Sequence, residues 1–119
     1  MARLVNELRQ GLGLAPLTVK HGLWHVARAW SLTMRDWDIF EHNPYYSHQF
    51  PIGWTRAAEN IAFVSGRAFA DAVQVAFDGL VDSPGHYANM TDPAFNHIGV
   101  GIAFEGSSFW FTQNFARYP

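Results

Sequence analysis

Apolar residues recur at the spacing of one helix face in three long stretches of the chain. The first stretch covers Ala2–Gln10 and stops at the glycines of GLG, which favour a helix end. The second covers Lys20–Trp37, and the third is RAFADAVQVAFDGLVD, residues 67–82. The sequence therefore predicts three amphipathic helices, each with one buried face. The predicted inward positions are Leu4, Val5 and Leu8 in the first helix, Leu23, Ala27, Trp30 and Met34 in the second, and Phe69, Val73, Ala76, Phe77 and Leu80 in the third.

Two segments near the end of the chain alternate with period two, which is typical of β-strands. They are HIGVGIAF at residues 97–104 and SFWFTQNFA at residues 108–116, with a turn in the EGSS sequence that joins them. The pattern predicts an antiparallel hairpin. Gly99, Gly101 and Ala103 share one face of its first strand, so another backbone can approach that face closely.

Shorter elements are predicted between the helices and the hairpin. Ile39–Gly53 has neither period and contains two prolines, which predicts a long loop. Trp54–Ala58 is interpreted as a helical turn, followed by the extended segment NIAFV. The Ser83-Pro84 pair predicts the start of a short helix, Pro84–Met90, with the Ser83 side chain accepting backbone amides as its cap.

The order of these elements indicates the fold class. Helices come first, a hairpin comes last and the two hardly alternate, which predicts an α+β domain. Both faces of the predicted strands are apolar or small, so we expect helices to cover both faces of a small antiparallel sheet. The 119 residues match one domain, residues 1–119, and a hydrophobic content of 49% with ten phenylalanines, five tryptophans and four tyrosines is enough for its core.

Composition and charge exclude several classes of function. The formal charge is −2, from eight basic and ten acidic residues without runs, so nothing predicts binding to nucleic acid or to an anionic membrane. The lack of cysteine excludes disulfides and zinc–thiolate sites. No apolar run reaches the roughly 18 residues of a membrane span. The N-terminus lacks the apolar core of a signal peptide, which indicates either a cytoplasmic protein or a leader that has been removed.

Histidines are the candidate chemical groups, and the residues alone leave a structural alternative open for each. His86 lies in the first turn of the short helix, where a neutral imidazole could hydrogen-bond locally, and His42 lies in the long loop. His21 and His25 are four residues apart on the second helix, a spacing that can chelate a metal but more simply gives a solvated face. His97 is interpreted as a packing or capping residue at a strand start.

A serine triad is a hypothesis that the sequence argues against. Ser83, His86 and Glu59 supply the residue types. The position of Ser83 is already explained as a helix cap, and a hydroxyl that accepts backbone amides is not an activated nucleophile.

Six motifs, taken in order, resemble one known family. They are VNELRQGLGLAPL, FEHN, AENIA, DGLVDSPGHYANM, HIGVGIAF and FWFTQNF. The chain resembles the CAP superfamily (cysteine-rich secretory proteins, antigen 5 and pathogenesis-related proteins), in particular its compact, cysteine-free bacterial SCP-like domains. The resemblance implies an α-β-α sandwich, a secreted, extracellular protein, and a cleft where two histidines and two acidic residues meet, sometimes around a divalent metal.

Matched motif by motif, the resemblance assigns His42, Glu59 and His86 to this cleft, while Ser83 stands where many eukaryotic members have the second acid. It implies that His42 and His86 are metal ligands, with zinc or another divalent cation as the cofactor. Glu59 is expected first to orient a histidine, and its roles as a metal ligand or a general base stay open. Further residues expected at the cleft are Tyr45, Tyr46, His48, Gln113 and Asn114.

Three functions follow as hypotheses. The first is a binding domain whose partner is a small molecule, a lipid, a peptide or a glycan. The second is a peptidase-like, metal-dependent hydrolase, in which a cation on His42 and His86 activates water and Glu59 is the catalytic base. The third is a structural domain with a remnant cleft. The missing second acid and the lack of a recognisable nucleophile favour binding.

Overall fold

The computed structural model describes residues 1–119, which form five helices and four strands. The terminal hairpin, the three long helices and the short helix after Ser83 confirm the corresponding predictions. In chain order the elements are α1 (Ala2–Gly11), β1 (Thr18–Val19), α2 (His21–Trp37), α3 (Tyr46–Gln49), β2 (Arg56–Ser65), α4 (Phe69–Val81), α5 (Pro84–Met90), β3 (His97–Glu105) and β4 (Ser108–Arg117).

The four strands form one sheet in the order β1-β3-β4-β2. The three long strands pair antiparallel, as predicted, whereas the two-residue strand β1 runs parallel to β3 and makes the sheet mixed. Strand β2 pairs only with β4 and therefore forms one edge of the sheet. The candidate site lies at this edge.

Helix α2 packs on one face of the sheet through the glycines of β3. A Cβ atom on Gly99 would lie 2.1 Å from the backbone nitrogen of Trp24, and one on Gly101 would lie 2.2 Å from the carbonyl carbon of Ala27. These distances leave no room for a side chain, so the helix backbone lies directly on the strand. The predicted close approach is confirmed.

Helices α1, α4 and α5 cover the opposite face, which completes an α-β-α sandwich. Helix α4 buries Ala72, Ala76 and Leu80, whereas Phe69, which was predicted to face inward, is 55% exposed because it begins the helix. The buried clusters of this layer contain Val5, Leu17, Leu80, Met90, Phe95, Ile98 and Phe115, and Val64, Ala72, Ala76, Phe109 and Phe111. No helix is both long enough and apolar enough for a membrane crossing.

Strand β2 corrects the prediction for the middle of the chain. The helical turn predicted at Trp54–Ala58 is wrong, because β2 begins at Arg56 and pairs along its whole length with β4. Alanine and glutamate favour helices, but pairing with a neighbouring strand outweighs this local preference. The predicted long loop contains one short helix, α3.

The start of α5 confirms one prediction and corrects another. Ser83 occupies the N-cap position and Pro84 follows in the first turn, but the Ser83 side chain makes no capping hydrogen bond. The turn is closed instead by the Tyr87 amide, which donates to the Ser83 carbonyl at 2.8 Å. Gly85 is exposed, so solvent can satisfy the first amides of the helix.

A buried arginine joins α1 to the segment that follows α5. Arg9 is 1% exposed and donates to four carbonyl oxygens. These belong to Ala15, Met90, Asp92 and Phe95. Arg9 therefore fixes the end of the helix that carries His86.

Candidate functional site

The candidate cleft consists of His42, Glu59 and His86 and lies at the outer edge of the sheet. His42 comes from the loop after α2, Glu59 from β2 and His86 from α5. Strand alternation places the side chains of Glu59 and Asn60 on opposite faces of the sheet. The cleft therefore combines residues from both sides of the sheet: His42 follows α2 on one side, His86 lies on α5 on the other, and Glu59 belongs to the edge strand between them.

A buried carboxylate orients His42. The Glu59 side chain is 1% exposed, whereas that of His42 is 60% exposed. The Oε1 atom of Glu59 lies 2.9 Å from His42 Nδ1 and also accepts the backbone amide of Asn43 at 2.9 Å. With Nδ1–H donating to the carboxylate, Nε2 of His42 carries a lone pair that is free for a ligand. Glu59 thus lies where a carboxylate can orient the imidazole of His42.

The electrostatics of Glu59 combine opposing effects. Burial raises the pKa of its carboxyl group, while the hydrogen bonds from His42 and Asn43 and the charge of His42 lower it. The burial effect is the largest, so the pKa of Glu59 is raised overall. Its second oxygen, Oε2, makes no hydrogen bond within the protein.

A network of side-chain amides hydrogen-bonds to the backbone of the helix turn that carries His86. The Nδ2 atom of Asn60 donates to the carbonyl oxygen of His86 at 3.0 Å and to Gln113 Oε1 at 3.0 Å. Asn89, also on α5, donates to Asn60 Oδ1 at 2.8 Å. These bonds fix the helix turn that carries the imidazole onto strands β2 and β4.

The electrostatics of His86 favour a neutral ring. Burial lowers the pKa of His86, and the charge of His42 lowers it further. His86 therefore favours the neutral form that can accept a hydrogen bond or bind a cation.

Two facing residue pairs of β2 and β4 contain buried polar atoms that have no partner in the protein. Gln113 and Asn114 are both fully buried in β4, directly opposite Asn60 and Glu59 of β2. Glu59 Oε2 and Asn114 Oδ1 lie on the α2 side of the sheet and Gln113 Nε2 lies on the α5 side, and none of these three atoms makes a hydrogen bond. Most buried polar groups in proteins are paired, so these atoms distinguish the strand pair at the site from an ordinary core.

The loop residues predicted at the cleft have different surroundings. Tyr45 is 65% exposed and lines a cavity of about 250 Å³ with Trp30 and Asn43. Tyr46 is half-buried, and both burial and the charge of Glu59 raise its pKa. His48 is exposed at the end of α3 and forms no hydrogen bond with the cleft residues.

The remaining candidates lie apart from the cleft. His21 and His25 stack with ring centroids 5.6 Å apart on the exposed side of α2, and His97 packs edge-on against Tyr118. No set of three or more histidine, cysteine or acidic side chains in the chain is placed to hold a metal ion. Ser83 makes no hydrogen bond with His86, so the geometry does not form a serine triad.

Sequence reasoning missed the asparagines that build the site. Asn43 donates to Glu59, Asn60 links α5 to the sheet, and Asn89 completes that link. Two of them stand next to assigned residues in the FEHN and AEN motifs, and that adjacency is the signal that could have identified them.

Comparisons with known proteins agree with this architecture. Residues 2–115 match the model of the CAP family, described as the cysteine-rich secretory protein family. The uncharacterized protein YkwD of Bacillus subtilis is 38% identical over 122 residues, a match that covers 97% of this chain and 45% of YkwD. The chain thus spans less than half of this curated relative.

Solved structures show the same fold. An extracellular protein containing a SCP domain from Bacillus anthracis has a TM-score of 0.78 and 28% identity, covering 96% of this chain and 38% of that one. An outer surface protein of Borrelia burgdorferi has a TM-score of 0.82 and 18% identity, covering 99% and 90% of the two chains. The predicted fold is confirmed, and the match to the Borrelia protein extends over nearly its whole length.

Proposed function

Because the chain belongs to the cysteine-rich secretory protein (CAP) family, we propose that it is a secreted binding domain whose cleft between His42, Glu59 and His86 holds a small ligand. The description of the Bacillus anthracis relative as an extracellular protein supports the location. A lipid, a peptide and a glycan are the ligand classes to be distinguished by experiment.

The observation that carries this proposal is the buried carboxylate of Glu59. A carboxylate that is 1% exposed and has one unpaired oxygen lowers stability, because burial without full pairing disfavours the charged form. Its visible effect is to fix the exposed ring of His42 by the hydrogen bond to Nδ1, which leaves Nε2 for a ligand. Such a costly arrangement supports a binding role better than a structural one.

A divalent cation fits this donor set only in part. His42 Nε2 and the neutral His86 imidazole are suitable ligands for zinc, and Glu59 is their orienting carboxylate. No third protein ligand joins them, so the residues would provide a two-histidine site with open positions. A bound cation would polarise an oxygen of the ligand. The structure of NaASP2 with Zn²⁺ has this fold, with a TM-score of 0.67 and 14% identity over 86% of this chain and 60% of that chain.

Zinc titration by calorimetry tests the cation. In the His42→Ala, His86→Ala double variant we expect the zinc signal of the wild type to disappear, because both imidazole ligands are gone. The His21→Ala, His25→Ala variant is the matched control, since it removes the other neighbouring pair from an exposed helix face. Unchanged zinc binding in the first variant, or loss in the control alone, would contradict the cleft site.

The ligand itself is tested by mass spectrometry of the protein purified in its native form. We expect a bound small molecule in the wild type and its loss in the His42→Ala, His86→Ala variant. A wild-type protein that carries no ligand and binds none from lipid, peptide and glycan libraries would contradict the binding function.

The raised pKa of Glu59 favours hydrolysis as a second candidate function, because a general base works best with a pKa near the working pH. In this scheme Glu59 would take a proton from water activated beside His42 and His86. Peptidase and esterase assays on wild type and Glu59→Gln test it. Turnover that persists in Glu59→Gln would rule out Glu59 as the base.

A further inference from the structure

The outer edge of β2 has backbone groups that no other part of the chain uses. Gly66 N donates to Ser107 O at 3.0 Å, which extends the β2–β4 ladder by one residue pair. The N–H and C=O groups of successive residues point to opposite sides of a strand. The even-numbered residues of β2 therefore hydrogen-bond to β4, and the backbone groups of the odd-numbered residues point away from the sheet. The outward residues are Ala57, Glu59, Ile61, Phe63 and Ser65. No loop or helix backbone forms a hydrogen bond with their backbone groups.

A groove of about 340 Å³ runs along this edge. It is lined by four consecutive residues, 61–64, whose side chains point alternately to the two faces of the sheet. A cavity that touches all four must therefore follow the strand edge rather than one face. Its opposite wall is α4, through Val75 and Gly79, and its end is formed by Ser83 and His86.

Gly79 keeps this groove open. It lies inside α4, where glycine is less favourable than alanine by about 1 kcal/mol. An added Cβ atom would meet nothing within 4 Å, so packing does not require a glycine at this position. The glycine instead leaves the groove wall without a side chain.

We infer that this groove binds an extended peptide segment, which adds to β2 as a fifth strand. The unpaired N–H and C=O groups of Ile61, Phe63 and Ser65 offer the alternating donors and acceptors that another strand supplies. The inference goes beyond the proposed function, because it requires neither a cation nor the imidazole pair.

The lining predicts the character of the peptide. One set of its side chains would face Val64, Val75 and Leu80 in the groove. The other set would lie over Phe63 and Phe40, whose exposed rings are 6.4 Å apart. No acidic, lysine or arginine side chain lines the groove, so the segment is uncharged and largely apolar.

The size of the groove favours a peptide over a second copy of the chain. Phe63 and Ser65 are exposed at this edge, whereas Ile61 and Val64 are only 5% and 8% exposed because their side chains pack into the core on the two faces of the sheet. A single extended strand needs only the spacing of about 4.8 Å beside β2, whereas a second copy would also bring its own α4 to the same groove. The groove volume also lies at the small end of the roughly 300–1,000 Å³ of ligand pockets, which suits a few side chains.

Titration with a capped hexapeptide that alternates valine and threonine, followed by amide NMR, tests the inference. We expect chemical-shift changes and slowed hydrogen exchange at the amides of Ile61, Phe63 and Ser65. A peptide with alternate backbone nitrogens methylated is the control and should not bind, because it cannot complete the ladder. Shift changes elsewhere, or none at these three amides, would overturn the inference.

Substitution of Gly79 provides the second measurement. Gly79→Leu should fill the groove and weaken peptide binding by about tenfold or more, whereas Gly79→Ala, which adds only a Cβ atom, should weaken it less. Zinc binding should be unchanged in both variants, so failure of this inference and failure of the cleft proposal are distinguishable. Equal peptide affinity in Gly79→Leu, or a concentration-dependent dimer that protects the same amides without peptide, would overturn it.

Discussion

Arg9 and Glu59 are both buried ionisable residues, but their side chains differ in how fully they are hydrogen-bonded. The guanidinium of Arg9 donates to four carbonyl oxygens, so each of its three nitrogen atoms has a partner. The carboxylate of Glu59 accepts two hydrogen bonds through one oxygen, and its other oxygen has no partner. Every nitrogen of the Arg9 guanidinium therefore has a partner within the chain, whereas one oxygen of the Glu59 carboxylate has none.

The difference separates a structural role from a binding role. A buried charge stabilises a fold only when its polar neighbours are satisfied, which holds for Arg9. Asn114 Oδ1, opposite Glu59 on the same face of the sheet, is also unpaired, and Gln113 Nε2 is unpaired on the other face. Substitutions in the first region should therefore change stability, and those in the second should change binding more than stability.

The largest effect is expected at Arg9. Arg9→Met keeps an unbranched side chain but leaves the carbonyls of Ala15, Met90, Asp92 and Phe95 without their donor. We expect a loss of about 3–5 kcal/mol in the free energy of unfolding, measured by urea denaturation. Arg9→Lys should lose less, because the ammonium can still donate to part of this set. A loss of under about 1 kcal/mol in Arg9→Met would contradict the structural role.

A smaller effect is expected from the amide network under His86. Asn60→Leu removes three hydrogen bonds, to His86, Gln113 and Asn89, and should cost about 2–3 kcal/mol. Gln113→Leu removes one bond and also a donor that has no partner, so its cost should be about 1 kcal/mol or less. Urea denaturation of both variants measures the difference. Equal losses would show that the unpaired donor of Gln113 does not weaken the fold.

Glu59→Gln should alter stability by no more than about 1 kcal/mol, because the amide oxygen can still accept from His42 and Asn43. The pH dependence should change more clearly. Burial raises the pKa of Glu59, so the folded protein binds this proton more readily than the unfolded chain does.

The sign of the pH effect follows from that preference. The contribution of Glu59 to the free energy of unfolding is most favourable below the ordinary glutamate pKa and falls as pH rises toward the raised pKa. Urea denaturation across this interval should show the decline in wild type and its absence in Glu59→Gln. Parallel pH profiles for the two proteins would show that burial does not shift this carboxyl group.

Periodicity predicted the elements that bury one continuous face. The three long helices and the β3–β4 hairpin were predicted from their spacing, and the glycines of β3 indicated the close approach of α2. Only the second half of β2 was found from the sequence, as the extended segment NIAFV, because the first half carries alanine, glutamate and asparagine, which show no apolar alternation. Its strand conformation depends on pairing with β4, which is distant in sequence.

The candidate site was also predicted only in part from the sequence. The resemblance to a family identified His42, Glu59 and His86, but residue type alone could not show that Glu59 orients His42 or that one carboxylate oxygen is unpaired. Those features depend on burial and on the position of the Asn43 amide, which only the folded chain fixes. The prediction that the Ser83 side chain caps α5 was wrong, because the residue type does not fix the direction of the hydroxyl. A hydroxyl at an N-cap position can turn away from the backbone.

The smallest effect is expected at Ser83. An N-cap serine that bonds to the helix backbone typically contributes about 1 kcal/mol, but the Ser83 side chain makes no such bond. Ser83→Ala should therefore change the free energy of unfolding by less than about 0.5 kcal/mol in urea denaturation. Ser83 also lines the groove beside β2, so a peptide that contacts its hydroxyl should bind Ser83→Ala more weakly without any loss of stability. A loss near the full capping value would instead place Ser83 with Arg9, among the residues that hold the fold together.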